Sequence, residues 1–171
     1  FDFELYAIFD VTNRPKRFFE QQSFVPYKKI WFYHDFMKNI NTKPDINYLG
    51  NFEKKYRIDL WLLAYNERIF FDYNPFYKFT TEQIYSILEQ ECRFFESVLD
   101  EVKPNFLIIS LTTFHHNHLF YLLCRSIGIK VLMIGPTEFG FNASRLMISE
   151  EVNKIDYFVD KSMINENSNF S

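Results

Sequence analysis

The sequence predicts an α/β fold, a Rossmann-like three-layer sandwich with a mostly parallel sheet. Three observations carry that expectation. Two continuous apolar runs, NFLIISL at residues 105–111 and IKVLMIG at residues 129–135, have strand length and no inside–outside alternation, as in strands covered on both faces. Residues 114–127 between them repeat apolar side chains at helical spacing and end at Gly128, which makes a βαβ unit with a right-handed crossover. A long amphipathic segment ending at Pro104 leads into the first of the two runs.

The elements follow in order. ELYAIF at residues 4–9 is a short apolar strand, and Asp10 opens a loop through Pro15. Residues 16–22 read as a short helix, and KIWFYH at residues 29–34 as a second strand rich in aromatic and β-branched side chains. Residues 35–47 carry Asn39, Asn41, Pro44 and Asp45 and read as loop. Helices are expected over 45–56 and 59–70, then a Tyr/Pro loop over 72–79. Thr80-Thr-Glu-Gln83 has the form of a capping box, and Ile84, Ile87, Leu88, Phe95, Val98, Leu99 and Val102 continue at helical spacing. After the βαβ unit, residues 150–156 read as a short helix and 157–159 as a short strand. Residues 1–160 are expected to form one domain, with 161–171 a frayed tail or linker. Trp61 with Tyr65, and Tyr73 with Tyr77, are expected in core or lid packing.

Composition excludes several classes of function. The 171 residues include 22 Phe and 11 Tyr against 4 Gly, an excess that AT-biased codon usage accounts for without a stacking surface. Net charge is −3, so a nucleic-acid binder working by bulk positive charge is excluded. The deficit lies in residues 131–171, which hold 6 acidic and 3 basic side chains. Cys92 and Cys124 match no metal spacing and give no disulfide framework, which suits a reducing compartment. No apolar run approaches the ~20 residues of a membrane span. The chain starts without Met and ends in a polar run, so it is expected to be part of a longer protein.

In open parallel sheets, ligands sit beyond the carboxyl ends of the strands. That rule selects Asp10, the His34-Asp35 pair, residues 112–118 and residues 136–140, expected to share one rim. The densest polar feature is Phe114-His-His-Asn-His118. If Thr112 or Thr113 caps the helix, His115 and His116 fall in its first turn, where the partial positive charge of the helix end favours neutral imidazole. A neutral imidazole at a cleft is a candidate general base near pH 7. His115 and His116 flank the apolar stripe Leu119, Leu122, Leu123 and Ile127, while His118 lies on the polar side, so either of the first two is favoured as the base. A metal site is not expected, because His115 and His118 supply only two ligands. Glu138, in the turn GPTEFG, is a second candidate base or an orienting group for a hydroxylated substrate. Asp10, Arg14, Lys16, Thr112, His118 and Arg145 are candidate substrate-binding residues, the basic ones as contacts for phosphate or acidic sugar. Each of these also has a plainer reading, as a capping, surface or salt-bridged side chain. No dinucleotide, Walker, nucleophile-elbow or HExxH motif is present.

These residues carry a resemblance. Glu89-Gln-Glu-Cys-Arg-Phe-Phe-Glu96, Leu99-Asp-Glu-Val-Lys-Pro-Asn-Phe-Leu-Ile-Ile109, Thr113-Phe-His-His-Asn-His118 and Gly128-Ile-Lys-Val-Leu-Met133, with Arg145 and Ile148-Ser149, together resemble the N-terminal Rossmann-like half of bacterial surface- and capsular-polysaccharide biosynthesis proteins of glycosyltransferase-B-like architecture. The resemblance covers roughly residues 50–157 and rests on a general order of elements. It implies a two-domain cytoplasmic enzyme, peripheral to the inner membrane, whose N-terminal half binds a sugar or glycolipid acceptor. The nucleotide-sugar donor would be held mostly by a missing C-terminal domain, so this part would carry no cofactor of its own and would be inactive alone. The alternatives are a non-catalytic Rossmann-like ligand-binding module and an assembly domain of a carbohydrate-export complex. Cobalamin binding is disfavoured, since Asp-x-His-x-x-Gly is absent.

Overall fold

The computed structural model describes residues 3–71, 75–110, 112, 114–136, 146–150, 157 and 158. The chain is α/β. Its elements are β1 (Leu5–Phe9), α1 (Asn13–Gln21), β2 (Tyr27–Phe32), a 3-10 turn (Tyr33–Asp35), α2 (Ile46–Tyr56), α3 (Leu60–Tyr65), α4 (Arg68–Phe71), α5 (Thr81–Val102), β3 (Phe106–Ser110), α6 (His115–Ser126), β4 (Lys130–Pro136), β5 (Leu146–Ser149) and β6 (Tyr157–Phe158). They fall into two compact units, Phe1–Lys54 with Arg68–Lys103, and Lys55–Glu67 with Pro104–Ser171.

In the first unit β1 and β2 pair in parallel, from Leu5 opposite Tyr27 to Phe9 opposite Phe32. α5 is the longest helix described. Its capping box forms as the sequence predicts: Gln83 N–H donates to Thr80 Oγ1 at 3.2 Å, and Thr80 N–H donates to Gln83 Oε1 at 2.9 Å. Ile84, Leu88, Cys92, Phe95 and Leu99 bury one face. The helix stops where Lys103 turns left-handed at φ 48° and Pro104 withholds the next donor. The polar side of α5 fixes the loop at 36–45. Gln90 Oε1 accepts from Lys38 N–H at 3.0 Å, Glu89 Oε2 accepts from Asp45 N–H at 2.7 Å, and Phe36 stacks on Phe94 at 4.1 Å. Asp45 in turn caps α2, taking Tyr48 N–H at 2.9 Å.

In the second unit β3 and β4 pair in parallel with α6 between them in sequence, the βαβ unit expected. α6 ends in a Schellman motif: Gly128, at φ +82°, donates to Arg125 C=O at 3.0 Å, and Ile129 donates to Cys124 C=O at 2.9 Å. β4 then pairs antiparallel with β5, and β5 with β6.

Four features differ from the sequence reading. The described strands form two sheets, β1-β2 and β3-β4-β5-β6, so the four loops do not line the rim of one sheet. β3 is an edge strand with alternating burial, leaving Phe106 39 % and Ile108 56 % exposed, so its apolar run does not mean two covered faces. The helix expected over 59–70 breaks at Asn66, whose side-chain amide donates back to Leu62 C=O at 2.9 Å and ends α3. Trp61 and Tyr65 lie on the exposed side of α3 and not in a core, and Tyr77 is exposed as well. Tyr73 and residues 151–156 of the helix expected over 150–156 lie outside the described residues.

Candidate functional site

The site assembles in the second unit around the start of α6. That helix has Phe114 at its N-cap position, a side chain that cannot accept a hydrogen bond. Thr112 is therefore not the cap, contrary to expectation, and Thr113 lies outside the described residues. A carboxylate 48 residues earlier takes the part. Glu67 Oε2 accepts the backbone N–H of His115 at 2.8 Å and lies 2.9 Å from His115 Nδ1. Glu67 is buried, at 5 % exposure. A buried carboxylate is tolerated where hydrogen bonds and positive charge meet it, and here two donors and the helix N-terminus do so.

This contact orients the ring of one histidine. With Glu67 ionised, its carboxylate only accepts, and the proton of a neutral His115 then sits on Nδ1 and leaves Nε2 as the basic nitrogen. The carboxylate also stabilises the imidazolium that forms when Nε2 takes a proton. Glu67 and His115 thus form a carboxylate–imidazole dyad of the kind that serves general bases.

The dyad borders a cleft of about 340 Å³, small for a ligand site. Leu62, Leu63, Phe114 and Leu122 give it an apolar wall, and Arg57, Asp59, Asn66, Thr112 and His118 add polar groups. His118 Nδ1 lies 3.0 Å from Thr112 Oγ1, and burial lowers its pKa below the usual histidine value, so it is neutral at pH 7. Asp59 caps α3 by accepting Leu62 N–H at 2.8 Å. α3 and α6 pack together, which holds the two walls.

The structure thus brings together His115, His118 and Thr112 of the predicted residues. His116 is buried at 8 % exposure, stacked on Phe114 with ring centroids 5.8 Å apart, and does not line the cleft. Of the two histidines the sequence left open, His115 is the one that lines the cleft. Asp10, Arg14 and Lys16 belong to the first unit. There Asp10 Oδ1 meets His34 Nε2 at 2.7 Å, and Lys16 Nζ meets Asp35 at 2.6 Å, a salt-bridged surface arrangement beside an exposed Arg14. Glu138 and Arg145 lie outside the described residues. Sequence reasoning missed Glu67, Arg57, Asp59 and Asn66. The one available signal was the helix start at residue 115, which has no acceptor of its own at the cap. Comparison with protein-family models, with curated proteins and with solved structures gives no match to this chain.

Proposed function

We propose that the chain is the acceptor-side part of a glycosyltransferase-like enzyme of bacterial surface polysaccharide biosynthesis, with a Rossmann-like sandwich as its framework. The observation that carries this reading is the Glu67–His115 dyad on the wall of a cleft. Nε2 of His115 removes the proton of an acceptor hydroxyl. The oxygen then attacks the anomeric carbon of a nucleotide-sugar donor, and the nucleotide leaves with the bonding electron pair. The donor is held by a further domain, and the reaction takes place in the cytoplasm at the inner membrane. Among the described residues no helix is long and apolar enough to cross a membrane, which agrees with a peripheral attachment.

A second reading, an assembly module without catalysis, draws on Phe24 and Phe18 of the first unit, which are 83 % and 56 % exposed. One experiment separates the two. In the full-length protein, His115→Ala should lower sugar transfer by about 10²–10⁴-fold, the usual contribution of a general base, with secondary structure unchanged. Transfer at the wild-type rate in His115→Ala overturns the base assignment, and no sugar transfer by the wild-type full-length protein favours the assembly module.

A further inference from the structure

We infer that Arg57 binds an oxyanion of the ligand, so that this cleft takes a small sugar-like molecule carrying one phosphate or carboxylate group. The inference rests on the reading of the cleft as an acceptor site and names the class of acceptor. Arg57 follows α2 and lines the cleft at an exposed position. Its φ of 56° is in the left-handed region, uncommon for a side chain of this size. The backbone is pinned on the far side by Ile58, which is buried, and by Asp59, whose side chain caps α3. No described carboxylate lies within ion-pair distance of the Arg57 guanidinium. The two carboxylates that border the same cleft are engaged elsewhere, Asp59 with Leu62 N–H and Glu67 with His115. Arg57 therefore brings to the cleft wall a permanently charged group with no described ion pair and a planar set of donors, which matches the geometry of a carboxylate or phosphate. Beside Arg57, the uncharged polar groups of the lining, Asn66, Thr112 and the neutral His118, suit hydroxyl groups.

The test uses the 171-residue chain and three probes, α-D-glucose 1-phosphate, D-glucuronate and D-glucose. Binding is read from the imidazole Hε1 resonances of His115 and His118, both of which line this cleft. Both anionic probes should shift these resonances, with D-glucose at least tenfold weaker. Arg57→Gln should weaken the anionic probes by about 10–100-fold, the loss expected for a hydrogen bond to a charged group, and leave D-glucose unchanged. Arg57→Lys, which keeps the charge and loses the fork, should fall between. The stronger of the two anions identifies phosphate or carboxylate as the natural group. Equal binding of anions by wild type and Arg57→Gln overturns the inference, as does D-glucose binding as tightly as the anions, or no shift with any probe up to about 50 mM, well into the range of weak sites. The two readings fail separately, because the base assignment is judged by transfer in His115→Ala and the anion site by affinity in Arg57→Gln.

Discussion

Removing the Glu67 carboxylate tests how the start of α6 is held. Glu67→Ala leaves His115 N–H and His115 Nδ1–H without the acceptor they share at 2.8 and 2.9 Å. A hydrogen bond to a charged group contributes about 1.5–3 kcal/mol. The two bonds share one oxygen and are not additive, and deleting the carboxylate also removes its own burial cost, so we expect a net loss of about 2–4 kcal/mol. Glu67→Gln keeps one carbonyl acceptor and should lose about half as much. With urea m values of about 1–3 kcal/mol/M, the alanine variant moves the midpoint down by roughly 1–2 M. Trp61 lies on α3 in the same unit as Glu67, and Trp31 on β2 in the other. Urea unfolding followed by Trp61 fluorescence in a Trp31→Phe background therefore reads the relevant unit. A change under about 0.5 kcal/mol for Glu67→Ala, the level of an ordinary surface substitution, would refute the reasoning.

Four further outcomes are expected. Thr80→Ala should destabilise by about 1 kcal/mol, because Gln83 loses the acceptor of the capping box; urea unfolding reads it. Gly128→Ala meets no atom within 4 Å, so its cost of about 1–2 kcal/mol is purely that of the left-handed φ, whereas Gly50→Ala, inside α2 and equally unobstructed, should gain about 0.5–1 kcal/mol. Burial lowers the His118 pKa below the ordinary histidine value of about 6.5, so the unfolded chain takes up a proton first. Stability from this group is therefore level above pH 6.5 and falls as pH drops below it towards the folded pKa, and His118→Gln should flatten that part of a plot of urea midpoint against pH. Cys124 is buried with its thiol pushed up to about 12, and Cys92 is buried and raised as well, so both should react with a thiol reagent only at the rate of unfolding.

Local rules carried much of the fold. The Thr80–Gln83 box, the Gly128 terminus and the strand–helix–strand order of residues 106–136 depend on neighbours within a few residues, and they stand as the sequence spelled them. The sheets were less legible. NFLIISL is apolar throughout, yet β3 is an edge strand with one face exposed, because burial depends on partners that periodicity cannot name. The histidine cluster was visible as a polar block after a strand. Which histidine faces the cleft was not, since His115 and His116 flank the same apolar stripe. The choice is made by Glu67, a residue hidden in a helical pattern that Asn66 interrupts. Arg57 was invisible for a like reason: nothing in the sequence marks a left-handed arginine at the end of a helix.

The proposed base requires His115 to be held by Glu67 with its basic nitrogen at Nε2. The most direct test is a long-range ¹H–¹⁵N spectrum of the His115 ring in the neutral form. The Nδ1–H tautomer is expected in the wild type, with the tautomer preference lost in Glu67→Ala. An Nε2–H tautomer in the wild type would contradict it.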